Sequence, residues 1–185
     1  MNKPDKYRED LNKISNIQIY RKYILDSECY ALSANQHLQL KEAIMNKYEL
    51  EYTDVFIVGS AKLGFSIKPS RRYGEFCDES DIDVAIVSER LFTKIWQQAY
   101  AFEKTNSYWE KKNKFFNYLS HGWIRPDKFP ISSIFPFSGE WWEFFRTLTK
   151  SERFGPYKIS AGVYHSHFFL REYQTICINQ CKEEQ

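Results

Sequence analysis

Two apolar periods alternate along the chain, and the switch between them marks out its elements. From Lys6 to Asp26 the residues Leu11, Ile14, Ile17, Tyr20 and Ile24 recur at three- and four-residue spacing. That spacing predicts a helix whose Lys, Arg, Asp and Glu residues form a solvated face. A second helix starts at Ser33, because Ser33 and Gln36 have the spacing of a capping box. Leu38, Ile44 and Tyr48 form its expected buried side. The pattern then becomes strand-like from Asp54 to Val58, an apolar run that stops at Gly59-Ser60. A second strand, Ser80 to Val87, alternates Ile82, Val84 and Ile86 with Asp81 and Asp83. Helical spacing returns after Ser88, where Phe92, Ile95, Trp96, Ala99 and Phe102 make a stripe over Glu89 to Lys104.

The second half of the chain is rich in aromatic residues. Ser107 to Leu119 reads as a helix with Trp109, Phe116 and Leu119 inward and Lys111, Lys112 and Lys114 outward. Gly122 to Gly139 is a long connection containing three prolines. Glu140 to Lys150 is a short helix carrying Trp141, Trp142, Phe144, Phe145 and Leu148. Tyr157 to Tyr164 alternates as a strand, with Ile159, Ala161 and Val163 opposite Lys158 and Ser160. A last helix, His165 to Lys182, turns Phe169, Tyr173 and Ile176 or Cys177 inward. The expected class is α+β: a small mixed β-sheet with helices packed mainly on one face. N-terminal helices precede the sheet, and an aromatic-rich helical half follows it.

Length and composition narrow this further. The 185 residues suit one domain, 1–185, organised around residues 55–87. An aromatic content of 18% excludes a disordered chain. The net charge of +2 indicates no broad nucleic-acid face, so contact with nucleic acid would have to be local. Cys29, Cys77, Cys177 and Cys181 include no Cys-x-x-Cys pair and have no histidine at ligand spacing. They read as thiols of a reducing compartment rather than zinc ligands. With a polar start and no long apolar segment, the expectation is a cytoplasmic protein without membrane contact.

The chemistry concentrates between Val55 and Val87. Asp81 and Asp83 share one face of their strand, with backbones about 7 Å apart. Two carboxylates so placed suit Mg²⁺ or Mn²⁺, hard cations that prefer oxygen. A buried strand running into Gly59-Ser60 and then Ala61-Lys62-Leu63 reads as a strand-to-helix turn. Glycine allows close backbone approach, and free N–H groups with the Ser60 hydroxyl suit phosphate. The intervening loop, Gly64 to Glu79, holds Lys68, Arg71 and Arg72. It reads either as a lid bringing cations onto triphosphate oxygens or as an ordinary basic surface loop.

An apolar strand, Gly59-Ser60, a spacer and Asp81-Ile82-Asp83 resemble the signature of the DNA polymerase β-type nucleotidyltransferase superfamily. Gly59-Ser60-Ala61-Lys62-Leu63-Gly64 with Ser80-Asp81-Ile82-Asp83 looks most like its small bacterial members, including the minimal nucleotidyltransferases paired with HEPN-type toxins. The spacer from Ala61 to Ser80, 20 residues, is longer than is usual there, and Leu63 stands where an arginine is common. The resemblance implies a nucleotidyltransferase-like fold and transfer of a nucleoside monophosphate from a triphosphate to a hydroxyl on RNA, protein or nucleotide. It implies phosphate contacts from Gly59, Ser60, Lys62, Arg71 and Arg72, and a cation on Asp81 and Asp83. It also implies a third carboxylate on a later strand. Tyr157 to Tyr164 offers Lys158, Ser160 and Gly162 there, and no acid, which leaves Asp127 as the candidate. A degenerate, antitoxin-like or phage-defence module acting on a protein partner through the aromatic half is the alternative. A second-messenger synthase is a further one.

Overall fold

Ser15 breaks the helix expected between Lys6 and Asp26. Its hydroxyl accepts from the Gln18 N–H while the Gln18 side chain returns to the Ser15 backbone, a complete capping box. The computed structural model describes residues 3–183. In it, helix α1 spans Lys3–Lys13, and α2, Asn16–Ile19, continues into a π-helical turn at Tyr20–Leu25. Restarting the helix at Ser15 turns Ile17 outward and buries Ile19 instead. Helix α3, Ala34–Tyr48, carries the expected Ser33–Gln36 box; Leu40 and Ile44 are buried, while Leu38 is exposed.

Strand β1, Val55–Val58, leads into a short helix α4, Gly59–Leu63, and the loop then returns as β2, Ile82–Val87. Helix α5, Glu89–Lys104, buries Leu91, Phe92, Ile95, Ala99 and Phe102, with Trp96 outside the stripe. Helix α6, Lys112–Ser120, buries Phe115. The connection expected from Gly122 to Gly139 contains a two-residue strand β3, Trp123–Ile124, a 3-10 turn at Pro126–Lys128, and the start of α7, Pro136–Lys150. Strand β4, Ile159–Tyr164, precedes α8, His167–Glu183. Helix α8 turns Leu170, Gln174, Ile178 and Cys181 inward, while Tyr173 and Ile176 face out.

The four strands form one mixed sheet in the order β1-β2-β4-β3. β1 and β3 run antiparallel to their neighbours, and β2 with β4 is the parallel pair. A parallel pair requires a crossover, and here it carries α5, α6, β3 and α7. Ile82, Val84 and Ile86 enter the larger core with Leu40, Ile44, Phe92 and Trp141. Ala85 and Val87 enter a second core with Tyr7, Leu11, Leu170 and Ile178. Helices therefore cover both faces of the sheet, which corrects the expectation of one main helical face. The reason is that β2 is buried on both sides beyond Asp83, so each side needs cover. No helix among the described residues is long and apolar enough to cross a membrane.

Candidate functional site

The end of β1 and the start of β2 meet because the two strands pair antiparallel, with Val58 opposite Asp83. At Gly59 the chain leaves the strand with φ +67°, in the left-handed region that favours glycine. A Cβ on Gly59 would stand 3.1 Å from Asp83 Oδ2. The glycine thus lets the main chain lie directly against the carboxylate. Ser60 follows in the first turn of α4 and is half-buried.

β4 supplies the other side of the site. Its parallel register places Ser160 beside Asp83, and the Ile82 N–H donates to the Lys158 carbonyl at 2.8 Å. Alternation along both strands puts Asp81, Asp83, Lys158 and Ser160 on one face. The Ser160 hydroxyl donates to Asp83 Oδ1 at 3.1 Å. Lys158 Nζ lies 3.6 Å from Asp81 Oδ2. Burial pushes the Asp83 carboxyl above the ordinary carboxylate value. Lys68 and the Ser160 hydroxyl pull it back, Asp81 pushes it further up, and Lys158 opposes.

This donor set fits one hard divalent cation. Such an ion is held by one or two carboxylates, with phosphate oxygens and water completing the shell. Among the described residues no group of three or more His, Cys, Asp or Glu side chains gathers to hold a metal. Asp127 does not join the aspartate pair. It sits in the 3-10 turn after β3, at the opposite edge of the sheet from β1. Arg125 donates to both of its carboxylate oxygens, at 3.0 and 3.2 Å, and Lys128 Nζ lies 2.6 Å away. Burial opposes ionisation there, but the Lys128 and Arg125 hydrogen bonds win and hold the carboxyl below its ordinary value. Its charge is spent locally.

The basic residues expected to meet phosphate divide between two places. Lys62 is buried, and its ammonium donates to the Ser27 carbonyl, in the segment before α3. Arg71 donates to the Cys77 sulfur at 3.0 Å and to the Glu75 carbonyl at 3.4 Å. Arg72 is half-buried in the same loop. That loop is tied by its own backbone: Ser66 N–H to Gly74 O, Tyr73 N–H to Ser66 O, and Phe76 N–H to Gly64 O. Phe65, Ile67 and Phe76 anchor it in the cores. The positive charge of Lys68, also in this loop, is felt at Asp83.

In the sequence Lys158 and Ser160 mark only the polar side of a strand. The alternation was the available signal; the pairing of β4 with β2 was not encoded in it. A separate cleft of about 320 Å³ lies between the segment that precedes α6, the 3-10 turn at Pro126–Lys128 and α7, lined by Tyr108, Trp109, Lys111, Asp127, Ile131 and Trp142. No protein-family model, curated protein or solved structure matches the chain.

Proposed function

We propose that the chain is a nucleotidyltransferase that takes a nucleoside triphosphate at the sheet end where β1 and β2 meet. The observation that carries this reading is the contact of Gly59 with Asp83, which joins a turn able to accept phosphate to a carboxylate pair. Asp81 and Asp83 would hold Mg²⁺ or Mn²⁺. When bound, the ion neutralises phosphate charge and polarises the reacting phosphoryl group. The backbone of Gly59 and the hydroxyl of Ser60 bind phosphate oxygens, and Lys68 adds a positive charge from the loop. Ser160 fixes the rotamer of Asp83 through its hydroxyl. An acceptor hydroxyl on RNA, protein or a nucleotide attacks the α-phosphorus in line. The bond from that phosphorus to the bridging oxygen breaks, pyrophosphate leaves, and the hydroxyl proton passes to water.

The test is transfer of α-labelled nucleoside triphosphates with Mg²⁺ or Mn²⁺, comparing wild type with Asp81→Ala/Asp83→Ala. Removing the pair is expected to abolish both label transfer and pyrophosphate release. Equal labelling by the two proteins would eliminate this mechanism.

A second reading is favoured by one specific feature. Tyr108, Ile131 and Trp142 are exposed around the cleft between the segment before α6 and α7. Contiguous exposed apolar groups mark protein contacts. In that reading the nucleotide site is retained without transfer, and the aromatic half binds a protein partner in a toxin–antitoxin or phage-defence setting. Partner capture that survives the double aspartate change but fails in Trp142→Ala would support it.

A further inference from the structure

We infer that Lys158 is a resident counter-charge for the aspartate pair, displaced when a divalent cation and a nucleotide arrive together, so that each promotes the binding of the other. This rests on the reading of a triphosphate and cation at this strand end. Each strand position beside the pair can be named. On β1 the residue opposite Asp83 is Val58. On β4 it is Ser160, and Lys158 lies two residues earlier on the same face. The pair therefore has an ammonium 3.6 Å from Asp81 and, among the described residues, no third acid gathered with it. The ammonium offsets part of the charge of the two carboxylates, so a free divalent ion meets a site already partly neutralised.

The Lys158 side chain is 64% exposed and sits on a flexible stem. An exposed pair of this kind is weak. A cation arriving with phosphates can therefore displace the ammonium, which then turns to the incoming phosphate oxygens. A free cation has no such exchange to offer. Lys158 thus couples cation binding to nucleotide binding: each favours the other because each removes part of the cost of moving the lysine. It is a positioning residue, acting through Asp81 and the phosphate.

The experiment measures Mn²⁺ binding by calorimetry and electron paramagnetic resonance, without nucleotide and with a nonhydrolysable triphosphate. Wild type is compared with Lys158→Met, Lys158→Glu and Asp83→Asn, each checked for folding by thermal melting. Free Mn²⁺ is expected to bind Lys158→Met about fivefold tighter than wild type, the scale of an exposed ion pair. In the presence of Mn²⁺, the triphosphate is expected to bind both Lys158 variants about fivefold more weakly. Lys158→Glu, which supplies a third acid, is expected to bind free Mn²⁺ more tightly still than Lys158→Met does. Should Lys158→Met stay within about twofold of wild type in both measurements while Asp83→Asn loses Mn²⁺, this inference is overturned and the nucleotide reading stands. Should Asp83→Asn bind Mn²⁺ as wild type does, the nucleotide reading falls and takes this inference with it.

Discussion

Asp83 loses hydration without gaining a full counter-charge. Its nearest partners are a neutral hydroxyl and the crowded backbone of Gly59. Burial favours the neutral acid, so the folded chain holds this proton more tightly than the unfolded chain does. The sign follows from proton linkage. Stability contributed at this position falls as pH rises from the ordinary carboxylate value through the raised folded one, and stays lower above it. Asp83→Asn is therefore expected to stabilise the protein by about 1 kcal/mol at pH 7, a gain typical of relieving a functional site. The gain should shrink to nothing below the ordinary value of 3.8. Melting curves from pH 3 to 8 check this, and an Asn variant less stable at pH 7 would contradict it. Gly59→Ala acts in the opposite direction. A methyl at φ +67° is strained and meets Asp83 Oδ2, so a loss of about 1 kcal/mol is expected in the same melts.

At the scale of elements, a capping box that stands alone sets where a helix begins. Ser33-x-x-Gln36 marks the start of α3, as its spacing predicts. The same motif at Ser15-x-x-Gln18 is masked by apolar spacing that runs through it from Leu11 to Ile24. The cap wins there because a serine bonding its own backbone competes with continued helix. Ser15→Ala is expected to cost about 1 kcal/mol, the usual value of a lost N-cap. Helical content by circular dichroism should barely change, since the sequence then favours running straight on. A stability equal to wild type would show that the break is held by packing alone. In α8 the spacing predicts Phe169, Tyr173 and Ile176 or Cys177 inward, whereas the second core buries Leu170, Ile178 and Cys181, with Phe169 and Cys177 only partly buried against it.

Across the whole molecule, the N-terminal helices brace the loop of the candidate site. Tyr7 is 1% exposed, with ring contacts to Tyr23 at 4.9 Å and Phe65 at 5.3 Å. The Arg8 guanidinium lies 3.9 Å over the Tyr73 ring. Phe65 and Tyr73 flank Lys68, Arg71 and Arg72, so the loop is stiffened from a distance. Tyr7→Ala is expected to cost about 3 kcal/mol, the scale of a large buried aromatic. It should also open the loop, seen as faster tryptic cleavage at Arg71 and Arg72 under native conditions. Unchanged cleavage alongside the lost stability would mean that the loop is held by its own backbone bonds.

The sequence alone determined the strand that ends in Gly59-Ser60, the strand that begins at Asp81, and the shared face of Asp81 and Asp83. These follow from backbone geometry, which has a period of two in any strand and needs no distant partner. Tertiary structure decided what surrounds them. The hydroxyl on Asp83 arrives from a residue 77 positions later, and Lys158 arrives beside Asp81 with it. Asp127 stays at the far edge because Arg125 and Lys128 satisfy it there. Local periodicity fixes where a side chain points, whereas strand order and register fix what it meets. Those are set by burying both faces of β2 at once, a condition on the whole chain that no window of it contains.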